Sequence, residues 1–141
     1  MAQTALAAAE AIAEVTKKAD ELAVPELRHI PRIEVGQAVR QGDIYIHRVA
    51  DDHPCGEKLK TRQLAIGTTQ GSRHVAEAPA QVFQGTRAPG YMRNALLGPL
   101  VRSLKERLRI SHPEHAHIDL PPGTYQITHQ MDARTLERVQ D

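Results

Sequence analysis

A single cysteine, Cys55, is the only thiol in 141 residues. An intramolecular disulfide and a cysteine-rich zinc knuckle are therefore excluded. Aromatic residues are almost as scarce, with three Tyr, one Phe and no Trp, which argues against the base-stacking platforms of RRM or OB domains. Charge of either sign is not in excess. The 18 Lys and Arg nearly cancel the 17 Asp and Glu, so bulk charge does not draw the chain to nucleic acid. No apolar run reaches the roughly 18 residues that a membrane-spanning helix needs. The N-terminal stretch has no basic region, and Glu10 and Glu14 interrupt its alanines. A signal peptide is therefore not expected, and the cytoplasm is the expected location. The length fits one domain with a core of its own.

What the chain does have is histidine. Four of its eight histidines lie between Ser111 and Gln130. Within that stretch Pro121-Pro122-Gly123 cannot continue a helix and suits a tight reversal. On one side Ile118 and Leu120 alternate with His115, His117 and Asp119; on the other Tyr125 and Ile127 alternate with Thr124, Gln126 and Thr128. The pattern predicts a hairpin with one apolar face on a core and one polar face in solvent. Two histidines at i and i+2 of a strand aim the same way, roughly 6.5–7 Å apart. That spacing suits a divalent metal, zinc, iron or manganese. The candidate ligands are His74, His112, His115 and His117, with Glu114 and Gln130 as further donors. The plainer alternative is a row of surface histidines.

Along the chain, residues 4–23 predict a helix rich in Ala, Glu, Lys and Leu. Ala5, Ala8, Ile12, Val15, Ala19 and Leu22 form a coiled-coil stripe suited to helix–helix contact between copies. Residues 25–38, with Pro25 and Pro31, read as a connector. Val39–Val49 reads as a central strand, with Gln41-Gly42-Asp43 as a turn or bulge at its start. His53-Pro54-Cys55 reads as a loop whose proline spoils any thiol–imidazole pairing. Leu64–Ile66 is a short strand feeding a Gly67–Glu77 stretch, in which Ser72 and Arg73 could form an anion-binding nest. It lacks the Gly-Lys-Ser/Thr of a P-loop. Residues 78–95 read as an irregular exposed insertion, with Gln81–Phe83 as one short strand. The segment from Leu97 to Ile110 fits helix and strand spacing equally well.

Arg40-Gln-Gly-Asp43, Gly71-Ser-Arg-His74, His112-Pro-Glu-His115 and Leu120-Pro-Pro-Gly-Thr-Tyr125, closing on Gln130, resemble a set of short, uncharacterised bacterial proteins with no known activity. The likeness covers residues 39–140. It implies that Leu100–Ile110 is a strand, and that His74, His112, His115 and Gln130 belong together. The expected fold is mainly β (α+β): a small antiparallel β-barrel or roll (39–141) preceded by an N-terminal α-helix (1–24). Two functions are expected from it. The first is a non-enzymatic binding or assembly module that forms a homo-oligomer through its helix. Such a module would meet a protein or anionic partner through Arg28, Arg32, Arg73, Arg87, Arg93 and Arg102. The second is a metal-dependent hydrolase or oxygenase using the histidine cluster.

Overall fold

The computed structural model describes residues 27–65, 74–90, 92 and 96–130. Ten strands build them: β1 (Leu27–His29), β2 (Ala38–Gln41), β3 (Ile44–Val49), β4 (Cys55–Lys58), β5 (Val75–Ala76), β6 (Gln81–Gly85), β7 (Leu96–Ser103), β8 (Leu108–Ser111), β9 (His117–Leu120) and β10 (Gly123–His129). They form two sheets. One has the order β2-β3-β10-β7-β6-β4, and the other β1-β9-β8-β5. Ile44, Ile46, Val82, Val101, Tyr125 and Ile127 of the larger sheet meet Ala76, Leu108, Ile110, Ile118 and Leu120 of the smaller. The core lies between the two faces.

This corrects the expected fold class. Among the described residues the protein is all-β, and neither sheet closes into a barrel. β2 and β4 end one sheet and β1 and β5 the other, and closure would need those end strands to pair. Beyond the two-residue β5 the sheet continues only as an antiparallel bridge between Val75 and Gln63 among the described residues. The predicted helix and its coiled-coil stripe lie outside the described residues. Among the described residues no helix is long and apolar enough to cross a membrane.

The Pro121-Pro122-Gly123 reversal is not a hairpin. β9 belongs to the smaller sheet and β10 to the larger, so the chain crosses the core at this corner. Its two prolines supply no N–H to a ladder, and Tyr125 Oη donates to Pro121 O across the corner at 2.7 Å. Burial pushes the Tyr125 phenol up to about 12, although the neighbouring Arg48 opposes the shift. A side chain on Gly123 would strike the Arg48 guanidinium, which lies over the Tyr125 ring. A larger residue at this corner would have to push the Arg48 guanidinium off the ring.

β10 is the central strand of its sheet, between β3 and β7. The face expected to be wet, Thr124, Gln126 and Thr128, is fully buried. Hydrogen bonds make that burial tolerable. Thr128 Oγ1 pairs with His47 Nε2 at 2.8 Å. Gln126 Nε2 donates to Gly98 O and Pro99 O at 2.8 and 3.1 Å. Those carbonyls belong to a register shift in β7 opposite Gln126–Thr128, which gives Pro99 its place inside a strand.

The ambiguous Leu97–Ile110 segment resolves into β7, a turn closed by Ser103 Oγ donating to Glu106 O, and β8 in the other sheet. The stretch from 78 onward contains β6, paired with both β7 and β4. The expected connector also joins the fold, since Ile33 is buried in the core and β1 runs parallel to β9. Asp119 fastens β1: it bonds His29 Nδ1 at 2.7 Å and accepts from Arg107 Nε at 3.1 Å. Partial burial would raise the Asp119 carboxyl, but these bonds outweigh it and hold the group below the usual carboxylate value.

Candidate functional site

The β2–β3 turn organises the first of two candidate sites. Gly42 takes φ 56, a left-handed conformation that favours glycine. The turn sets Gln41 and Asp43 on either side of it, both buried. Gln41 Nε2 donates to Ile110 O at 3.0 Å and Ala116 O at 2.8 Å. Those two carbonyls orient the amide, so its Oε1 is left to accept from His74 Nδ1 at 2.8 Å. The other ring nitrogen of His74, Nε2, meets Asp43 Oδ1 at 2.8 Å. Both neighbours of the ring are oxygens. The Asp43–His74 pair therefore holds one proton in its own bond besides the one on Nδ1.

His112 comes from the bend after β8. Pro113 has no N–H, so the next two backbone amides, of Glu114 and His115, donate to His112 Nδ1 at 2.9 and 3.2 Å. This fixes the tautomer: a neutral His112 carries its hydrogen on Nε2. The His112 ring lies 4.4 Å from that of His74 and 4.4 Å from that of His115. His115 and His74 are nearly parallel at 6.4 Å. Three imidazoles thus pack ring against ring, with His74 and His112 buried and His115 at the rim.

The other predicted ligands fall elsewhere. His115 precedes β9 in a bend, so it does not share a strand with His117. His117 starts β9 opposite Leu27, and no ring contact joins it to the three clustered histidines among the described residues. Glu114 is exposed. Gln130 lies behind the turn: its N–H donates to Asp43 O, and its Oε1 accepts from Arg40 Nη2 at 2.8 Å. Ser72, Arg73 and Arg93 lie outside the described residues. Among the described residues no group of three or more His, Cys, Asp or Glu is arranged to hold a metal ion.

Gln41 and Asp43 are the site residues that spacing arguments miss. Their signal is two polar residues flanking a glycine at the mouth of an apolar strand, which local reasoning explains as turn chemistry alone.

A second site lies where β4 leaves its sheet. A cleft of about 510 Å³ is lined by Lys58, Leu59, Lys60, Thr61, Arg62, Ala80, Gln81 and Val82. Among the described residues three cations and no carboxylate line it. The near-zero net charge hides this local imbalance, although the Lys-x-Lys-x-Arg alternation is there to read.

No curated protein and no solved structure matches the chain. One family model does, over residues 40–130. The matched segment runs from Arg40 to Gln130, the two side chains that meet behind the β2–β3 turn, and it takes in both candidate sites. The chain therefore belongs to the family described as Domain of unknown function (DUF8820).

Proposed function

We propose that the domain is a non-enzymatic binding module that receives an anionic partner in the Lys58–Arg62 cleft. The observation that carries this reading is the charge of the cleft: Lys58, Lys60 and Arg62 line it, with no acid among the described lining residues. A concave site with one sign of charge raises the local concentration of the opposite ion. The histidine cluster supports the same reading. His74, the imidazole that holds a carboxylate, is fully buried and bonded at both ring nitrogens, which suits a fastener between segments better than a base facing substrate.

The test is titration calorimetry with inorganic tripolyphosphate against the full chain and its Lys58→Glu, Lys60→Glu double variant. The native chain should bind, more weakly as salt rises, and the variant should lose about tenfold or more in affinity. Equal affinity in both chains would overturn the reading.

A second reading, a divalent metal beside the histidine cluster, is favoured by Asp43. Its Oδ2 is buried without a hydrogen-bond partner, and such an atom in a native fold asks for a water or an ion. Asp43 Oδ2 and the imidazole of His115 would hold zinc, iron or manganese; His112, whose neutral ring keeps its hydrogen on Nε2, would not be a ligand. Elemental analysis of the untagged protein decides this: near-stoichiometric metal, lost in His115→Ala, supports it. Metal-free protein from metal-supplemented medium overturns it.

A further inference from the structure

Building on the anion-binding reading of the cleft, we infer that it recognises a phosphoryl group carried on a small organic molecule, with the guanidinium of Arg62 as its gripping residue. Arg62 is not a loose surface cation. Its Nη1 donates to Ala80 O at 2.6 Å and to Ala76 O at 3.1 Å. Ala76 N–H in turn donates to Arg62 O at 2.9 Å, and Ala80 N–H closes a turn onto Glu77 O.

One end of the guanidinium is therefore tied to two backbone carbonyls of ordered chain. Nε and Nη2 make no hydrogen bond with the described residues. These two nitrogens form the edge that takes two oxygens of one oxyanion in parallel. A fork whose orientation is set before the ligand arrives loses less entropy on binding than a free side chain.

The rest of the cleft matches the two parts of such a ligand. Lys58 and Lys60 supply the further positive charge that a dianionic phosphate monoester uses and a singly charged carboxylate does not. Half-buried Leu59 offers apolar surface, Ala80 and Val82 being buried in the core, with Thr61 and Gln81 as polar neighbours. A volume of about 510 Å³ lies within the range of small-molecule sites and exceeds what a bare phosphate fills. Among the described residues no aromatic side chain lines the cleft, which sets aside the base-stacking grip used on single-stranded nucleic acid. The ligand class is thus a small phosphate monoester with a modest apolar body.

Three probes and one substitution test the inference: phenyl phosphate, inorganic phosphate and benzoate, with native protein and Arg62→Lys. Phenyl phosphate should bind more tightly than either inorganic phosphate, which lacks the body, or benzoate, which lacks the second charge. Arg62→Lys keeps the charge and removes the fork, and should weaken phenyl phosphate by about tenfold. Because Arg62 also holds Ala76 and Ala80, that substitution could disturb the fold. The native protein therefore carries an independent readout: the Arg62 Nε–H resonance should move downfield on adding phenyl phosphate. If phenyl phosphate and benzoate bind alike and the Arg62 Nε–H resonance stays in place, the phosphoryl assignment falls while the anion site stands. If neither these probes nor tripolyphosphate bind, both fall.

Discussion

Gln41 shows how much one side chain can decide. Its amide satisfies the ring of His74 and two carbonyls, Ile110 O and Ala116 O, that no other described side chain reaches. Gln41→Leu keeps the bulk and removes all three of these buried hydrogen bonds. The expected loss is about 3 kcal/mol of unfolding free energy, since each unsatisfied buried group costs about 1–3 kcal/mol. A shifted midpoint with an unchanged slope in urea would show it; a loss of less than ~0.5 kcal/mol would mean that the amide is dispensable.

His47 carries a pH signature. Burial lowers its pKa below the ordinary 6.5. In the unfolded chain it takes up a proton below that value, while the fold resists doing so. Its contribution is therefore complete above pH 6.5 and is lost as pH falls from there toward the depressed folded value. His47→Gln should be less sensitive than the native chain to acidification from pH 7.5 to 5. Urea midpoints across that range test this, and parallel curves would refute it.

At the scale of elements, hydrophobic alternation is legible in the sequence but partnership is not. Ile118 and Leu120, then Tyr125 and Ile127, alternate as apolar faces and are buried as such. Alternation is the same whether two strands share a sheet or face each other across a core, so the corner at Pro121–Gly123 has the local pattern of a hairpin. Thr124, Gln126 and Thr128 have the pattern of a solvent-facing row because polarity is a local property. Their burial follows from β10 being a middle strand, a long-range outcome.

Close strand approach sets the sharpest substitution contrast. A β-carbon on Gly85 would collide with the backbone oxygen of Gly98, whereas one on Gly90 would meet nothing within 4 Å. Gly85→Ala should cost about 3 kcal/mol, the upper part of the range for overpacking, because a backbone rather than a flexible side chain must yield. Gly90→Ala should leave the thermal midpoint within ~2 °C of native, as surface substitutions do. Comparable midpoints for the two variants would contradict this packing.

For the whole molecule, two sheets with a shared core gather segments far apart in sequence. Residues 41–43, 74 and 112–115 meet at one buried polar centre, and residues 58–62 meet 80–82 at the cleft. Assembly through the N-terminal segment, proposed from its coiled-coil stripe, is tested by deleting residues 1–24. The mass measured by light scattering should fall to that of a smaller species. The same oligomer in the shortened chain would remove that role from the stripe.

Residue order alone establishes that the chain is β-rich in its later part, which apolar side chains around Pro121–Gly123 face a core, and that histidines gather near residue 112. Each of these follows from local periodicity and composition, which neighbouring residues carry among themselves. Long-range packing settles that the sheets stay open and that His115 joins His74 and His112 instead of His117. It also places Gln41 and Asp43 beside His74, and anchors Arg62 on the carbonyls of Ala76 and Ala80. The physical reason is the same throughout. Hydrogen-bond satisfaction in a buried site is settled between distant segments, and no local pattern records which distant donor meets which acceptor.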